Sequence, residues 1–217
     1  MGGGPETIEN ESKEENAMDD RFVSLNPGAL LAPVPAVMVS CARAEEKPNI
    51  ITLAWVGTVN SEPPMCSISV RKERFSHDII RDSGEFVINL CGQDDLADTD
   101  FCGVRSGRDV DKFAERKLTP AAVPGFTAPA IAECPLYLAC KVTNVLELGS
   151  HDMFIGTIEQ VGVNPALMDE AGRIDFSKAS LVAYNHGNYY ALGKALGFFG
   201  YSVAAPDVLK RRMEALK

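Results

Sequence analysis

"NIITLAWVGT", residues 49–58, holds the single tryptophan of the 217-residue chain. The stretch reads as one strand, Ile50–Val59, apolar or small on both faces. A strand that only filled a core would carry large branched residues throughout. Here Thr52, Ala54 and Gly57 are small, and Asn49 and Thr58 are polar. The segment leaves space and offers hydrogen bonds beside Trp55. Just downstream, Cys66, Ile68 and Val70 alternate with Ser67, Ser69 and Arg71. That period of two marks a strand with one buried face.

Working outward, a Pro-rich lead, "NPGALLAPVP", runs into a strand at Ala36–Ala42. Ser76, Asp78 and Gly84 predict a short helix with Ser76 as N-cap and Gly84 as its stop. Phe86–Leu90 is a further strand, and "QDDLADTDFCG" and "DVDKFAERK" read as two short helices. Residues 119–134 are rich in Pro, Ala and Gly and read as loop. Leu136–Leu148 and Met153–Val163 form two long strands around the tight turn "GSHD". "SLVAYNHGNYYALGKALGFFGYSV" is a mixed Gly-aromatic segment, and a terminal helix begins near Pro206. No strand–helix–strand rhythm recurs, so the pattern predicts a mainly β fold, a small barrel with short helical insertions. Residues 1–20 read as a disordered acidic tail, 21–203 as the barrel domain and 204–217 as a C-terminal helix.

The formal net charge is −9, but the first 20 residues hold seven of the 30 acids against Lys13 alone. The remainder carries 23 acids against 20 bases, a net −3. This is not the basic footprint of a nucleic-acid binder. No apolar run approaches a membrane span, and the N-terminus lacks the apolar stretch of a signal peptide. A cytoplasmic chain is therefore expected, with Cys41, Cys66, Cys91, Cys102, Cys134 and Cys140 reduced and mostly packing. The cysteines lack C-x-x-C spacing and His77, His151 and His186 are far apart, so no metal site is expected. There is no G-x-G-x-x-G fingerprint.

Bases nevertheless cluster in two places. Arg71 and Arg74 precede the first helix, and "VRSGRDVDK" supplies Arg105, Arg108 and Lys112 around Gly107. A phosphate-bearing small molecule is the simplest single explanation, because Ser76 and His77 open a helix whose first N–H groups favour anions. Each residue also has a plainer role. Loop arginines are commonly just solvated, Ser76 suits an ordinary cap, and a lone Trp is usually core or interface. Asn89, inside the apolar run "FVINL", must satisfy its amide through backbone or a ligand.

Five stretches carry a resemblance: "KPNIITLAWVGTVNSEPPMCSISVRKERFSHDII", "SGEFVINL", "TDFCGVRSGRDVDKFAE", "LGSHDMFIGTIEQV" and "LVAYNHGNYYALGKALGFFGYSV". In that order the chain resembles the flavin reductase-like proteins with the FMN-binding split barrel, of the flavoredoxin type. The resemblance implies a Greek-key-like split β-barrel, a homodimer, and FMN near the subunit interface. By position, Asn49, Thr52, Ala54 and Trp55 would line the flavin. Ser69, Arg71, Ser76 and His77 would lie near its phosphate and ribityl chain, and Asn89 beside it. Gly107 would let a loop backbone approach, and Lys112 would supply charge. His151 and Tyr184 would approach the ring from elsewhere in the dimer. No side chain is required as nucleophile or catalytic acid. A cation, Lys112 or protonated His151, would stabilise the reduced form. The expected function is electron transfer from NADH, NADPH or a redox protein, through FMN, to free flavin or another acceptor. The alternatives are a non-catalytic flavoredoxin-like electron carrier, or a small-molecule or haem-binding split-barrel protein without redox role.

Overall fold

A computed structural model describes residues 21–216; the acidic stretch 1–20, expected to be disordered, lies outside the described residues. Residues 21–30 form no helix or strand. From residue 31 onward the chain is built on strands. The first are β1 (Val34–Pro35), β2 (Val37–Cys41), β3 (Asn49–Leu53), β4 (Val56–Ser61) and β5 (Pro64–Arg71). Helix α1 (Phe75–Ser83) leads to β6 (Glu85–Leu90), followed by α2 (Leu96–Val104) and α3 (Lys112–Arg116). Then come β7 (Pro120–Ala121), β8 (Ala130–Ile131), β9 (Leu136–Glu147) and β10 (His151–Val163). The hairpin β11 (Val182–Asn185) and β12 (Asn188–Ala191) and helix α4 (Pro206–Glu214) complete the elements. None of the described helices is long and apolar enough to cross a membrane.

Seven strands form one antiparallel sheet in the order β3-β2-β6-β9-β10-β5-β4. The two edge strands, β3 and β4, are neighbours in sequence. The expected single strand 50–59 breaks at Ala54–Trp55 and supplies both edges. The sheet therefore curls without closing, and the Trp55 carbonyl accepts from the Ser69 N–H at 2.9 Å beside the opening.

Alternation sorts the core. Cys66, Ile68 and Val70 of β5, with Val37, Val39, Ile51, Leu53, Phe86 and Phe154, fill the inside of the curl against Ile79 and Ile80 of α1. The opposite faces of β2 and β3 are also covered, because Met38 and Ile50 pack with Cys102 of α2 and Phe113 of α3. Burial on both faces explains why the residues 36–42 and 49–53 read as nearly continuous apolar runs.

Three local expectations change. Residues 119–134 are not all loop, since β7 and β8 pair there. Asn89 needs no ligand: its amide nitrogen donates to the Met38 carbonyl at 3.1 Å, and its oxygen accepts from the Ile131 N–H at 2.8 Å. Ser76 is not the cap of α1. That position is Arg74, with no side-chain cap bond, while Gly84 ends the helix in the left-handed region at φ 67°. The terminal helix does start at Pro206.

Candidate functional site

Several connected cavities run along β3. The largest, about 580 Å³, is lined by Asn49, Ile51, Phe75, Ser76, Gly107 and the cations Arg71, Arg74, Arg105, Arg108 and Lys112. A 160 Å³ cavity shares Ile51, Arg71 and Arg74 with it and continues to Ala54, Trp55, Ser69 and His151. A third, 310 Å³, shares Thr52 and Ala54 with the second and adds Tyr184 and Tyr189. Together they make a groove with a cationic end and an aromatic end.

The cationic end is assembled from two chain segments far apart in sequence. Asn49, buried at the start of β3, donates from Nδ2 to Ser76 Oγ at 2.8 Å. The bond crosses from an edge strand to α1 and brings Arg71 and Arg74 against the loop that carries Arg105 and Arg108. Gly107 makes that approach feasible, because a Cβ there would lie 2.2 Å from Asn49 Oδ1 and 2.7 Å from Phe75 Cδ1. Arg108 donates from Nη1 to the Glu73 carbonyl at 2.9 Å and lies over the Phe75 ring. Arg71, Arg74 and Arg105 form no ion pair or side-chain hydrogen bond among the described residues. Three unpaired guanidinium groups around one cavity repel one another and favour an anion between them.

Lys112 lines this cavity but is committed elsewhere. It is almost fully buried, and Nζ donates to the Ile50 carbonyl at 2.6 Å and the Cys102 carbonyl at 2.8 Å. It thereby ties edge strand β3 to α2. Burial pushes its ammonium down to about 8. Cys102 lies in the same wall, and burial pushes its thiol up to about 11, as expected of a packing residue.

At the aromatic end, Trp55 is half exposed and its ring centroid lies 4.5 Å from that of His151. Burial and the neighbouring Arg71 lower the pKa of His151. The neutral imidazole is therefore favoured, and the expectation of a protonated His151 as the site's cation is corrected. Thr52 lines two of the cavities but gives its proton to the Thr99 carbonyl, which leaves it as an acceptor. Tyr184 packs on Tyr189 with centroids 5.4 Å apart.

His77 lies outside these cavities. Its Nε2 is 2.8 Å from Asp152 and its Nδ1 2.9 Å from Asp78. Its N–H donates to the Arg74 carbonyl, so that donor of the first turn is not available to an anion. Asn89 is likewise placed in the core.

A family model for the flavin reductase like domain matches residues 31–193. The chain belongs to the flavin reductase-like family. The family's fold is matched closely by solved structures. The flavoredoxin of Desulfovibrio vulgaris (Miyazaki F) is 31% identical, with a TM-score of 0.76 over 82% of this chain and 96% of that one. The flavoredoxin of Methanosarcina acetivorans is 27% identical, with a TM-score of 0.77 over 84% and 99%. Among curated relatives, a NADH:riboflavin 5'-phosphate oxidoreductase of Streptomyces pristinaespiralis is 25% identical over 57% of this chain and 67% of its own length. The split-barrel architecture is thus established, and within this flavin reductase-like chain the groove is the candidate site.

Of the residues anticipated from sequence, Asn49, Arg71, Ser76, Gly107 and Lys112 meet at the cationic end. Ala54, Trp55, Ser69 and His151 meet at the aromatic end, with Thr52 and Tyr184 on its flank. Arg74, Arg105 and Arg108 were visible as basic clusters, but nothing local in the sequence told that the two clusters face each other.

Proposed function

We propose that the groove binds FMN and that the protein is an FMN-dependent oxidoreductase of flavin reductase type. The observation that carries this is the pairing of an aromatic end with a phosphate-sized cluster of unpaired cations in one continuous groove. Arg71, Arg74 and Arg105 would hold the phosphate, with Ser76 and Asn49 as polar partners. A charge-assisted bond contributes roughly 1.5–3 kcal/mol, enough to offset lost phosphate hydration when several act together. Trp55, His151 and Tyr184 would flank the ring, and small Ala54 would leave its rim accessible to backbone donors. When bound, the flavin supplies acceptance and release of two electrons. The chain's own residues bind and orient it. Trp55 screens it from water, and Lys112 contributes positive charge through the wall of the cavity while protonated.

The electron donor is a nicotinamide nucleotide or a redox protein, and the acceptor free flavin or another oxidant. The protein works as a homodimer. Phe199, Leu196 and Val203 project fully or largely into solvent, and Trp55 is 48% exposed, so a second copy would cover apolar surface beside the groove. A second reading, an electron carrier that turns over only with partner proteins, is favoured by the flavoredoxin likeness. Absorption spectra of the protein reconstituted with FMN, taken anaerobically before and after NADH or NADPH, test both. Bleaching by a nicotinamide supports the reductase. Persistent colour that a redox protein bleaches supports the carrier. Failure to retain FMN removes the proposal.

A further inference from the structure

The groove does not end at the cationic cavity. A further cavity of about 370 Å³ adjoins it and shares Asn49, Phe75, Gly107 and Arg108 with it. The two spaces differ in charge. The first holds five cations and one carboxylate, Glu73. The second holds three carboxylates, Glu46, Asp109 and Asp111, against Lys47 and Arg108. Lys47 is itself paired with Asp111 at 3.1 Å. A second phosphate is therefore disfavoured there. Carboxylates are acceptors only, so they select a ligand that donates, such as the vicinal hydroxyls of a ribose. Phe75, Pro48 and Val110 give the same cavity an apolar wall suited to a flat base.

Read along the groove, the sequence of environments is aromatic, cationic, then acidic with an apolar wall. We propose that the second cavity holds the adenosine of a flavin dinucleotide, so that FAD occupies the full groove with its diphosphate among Arg71, Arg74, Arg105 and Arg108. This rests on the flavin reading of the site and extends it from mononucleotide to dinucleotide. The moiety recognised, an adenosine diphosphate group, also occurs in nicotinamide dinucleotides. Continuity of the two cavities assigns it to the flavin, because one covalent ligand then fills both.

The test is calorimetric titration of the full-length protein with FMN, FAD and ADP. FAD is expected to bind at least ten-fold more tightly than FMN. Val110→Trp, which fills the second cavity, is expected to remove that advantage and leave FMN affinity within two-fold. Asp109→Ala, at an exposed position, should weaken FAD several-fold and FMN not at all, and covers the case in which the Trp variant fails to fold. Equal affinities for the two flavins would overturn the proposal while leaving the flavin site intact. So would ADP binding undiminished to the FMN-saturated protein, which would give the cavity to a separate nucleotide. If neither flavin binds, the underlying reading of the groove fails with it.

Discussion

The two flanks of α1 hold similar charges in opposite states. On one flank, Asp152 is fully buried at the centre of a knot: His77 at 2.8 Å, Arg81 at 2.7 Å and Lys72 at 3.3 Å all face it. On the other, Arg71, Arg74 and Arg105 surround open space with no carboxylate against them. Cations with partners organise the fold, whereas cations left without them are held in reserve for a ligand. The fold accepts the repulsion on the second flank because Asn49, Ser76 and Gly107 lock that wall by hydrogen bonding and close packing.

The largest test of this contrast is Asp152→Ala. It strands His77 in the interior, and it should cost about 2–4 kcal/mol in urea unfolding, below the full value for a dry ion pair because Arg81 and Lys72 reach water. Flavin affinity per folded molecule should change little. Arg74→Ala should do the converse. It is expected to weaken FMN about ten- to a hundred-fold by fluorescence titration, the equivalent of one charge-assisted contact, with an unfolding midpoint unchanged or slightly raised. Equal effects of both variants on both readouts would erase the distinction between the flanks. Gly107→Ala lies between them, since the new methyl would meet Asn49 Oδ1 at 2.2 Å. It should cost about 1–3 kcal/mol of stability, as overpacking does, and weaken binding by displacing the Asn49 amide.

The smallest expected effect is a pH dependence. Burial lowers Lys112 to about 8. Below that pH it is protonated and favours an anion in the adjoining cavity; above it the charge is lost. FMN affinity should therefore decline several-fold as pH rises through this range, with proton uptake on binding visible in buffers of different ionisation enthalpy. Lys112→Met should flatten the profile.

The parts legible in the sequence were those with local periodicity. The alternation of Cys66–Val70 fixed β5, and the two long strands around Gly149 fixed the β9–β10 pair. The break at Ala54–Trp55 was not legible, because both residues are compatible with a strand and only the curl of the sheet separates β3 from β4. Ser76 satisfied a capping rule locally, yet its oxygen is engaged by Asn49, 27 residues earlier. The core role of Asn89 likewise depends on Ile131, 42 residues away. The Asp152 knot was invisible for the same reason. The basic clusters could be read as composition, but their convergence is a property of the fold.

The opening between β3 and β4 has a consequence for how this fold can vary. In a closed barrel every strand is registered to two neighbours, so a one-residue length change in a connection propagates around the whole circumference. Here β3 answers only to β2 and β4 only to β5. Residues 54 and 55 sit at the one place where a deletion or insertion is absorbed without slipping any ladder. Segment length at the seam is therefore free to be set by the shape of the molecule in the groove, and relatives with differently sized ligands can diverge there while keeping the rest of the architecture.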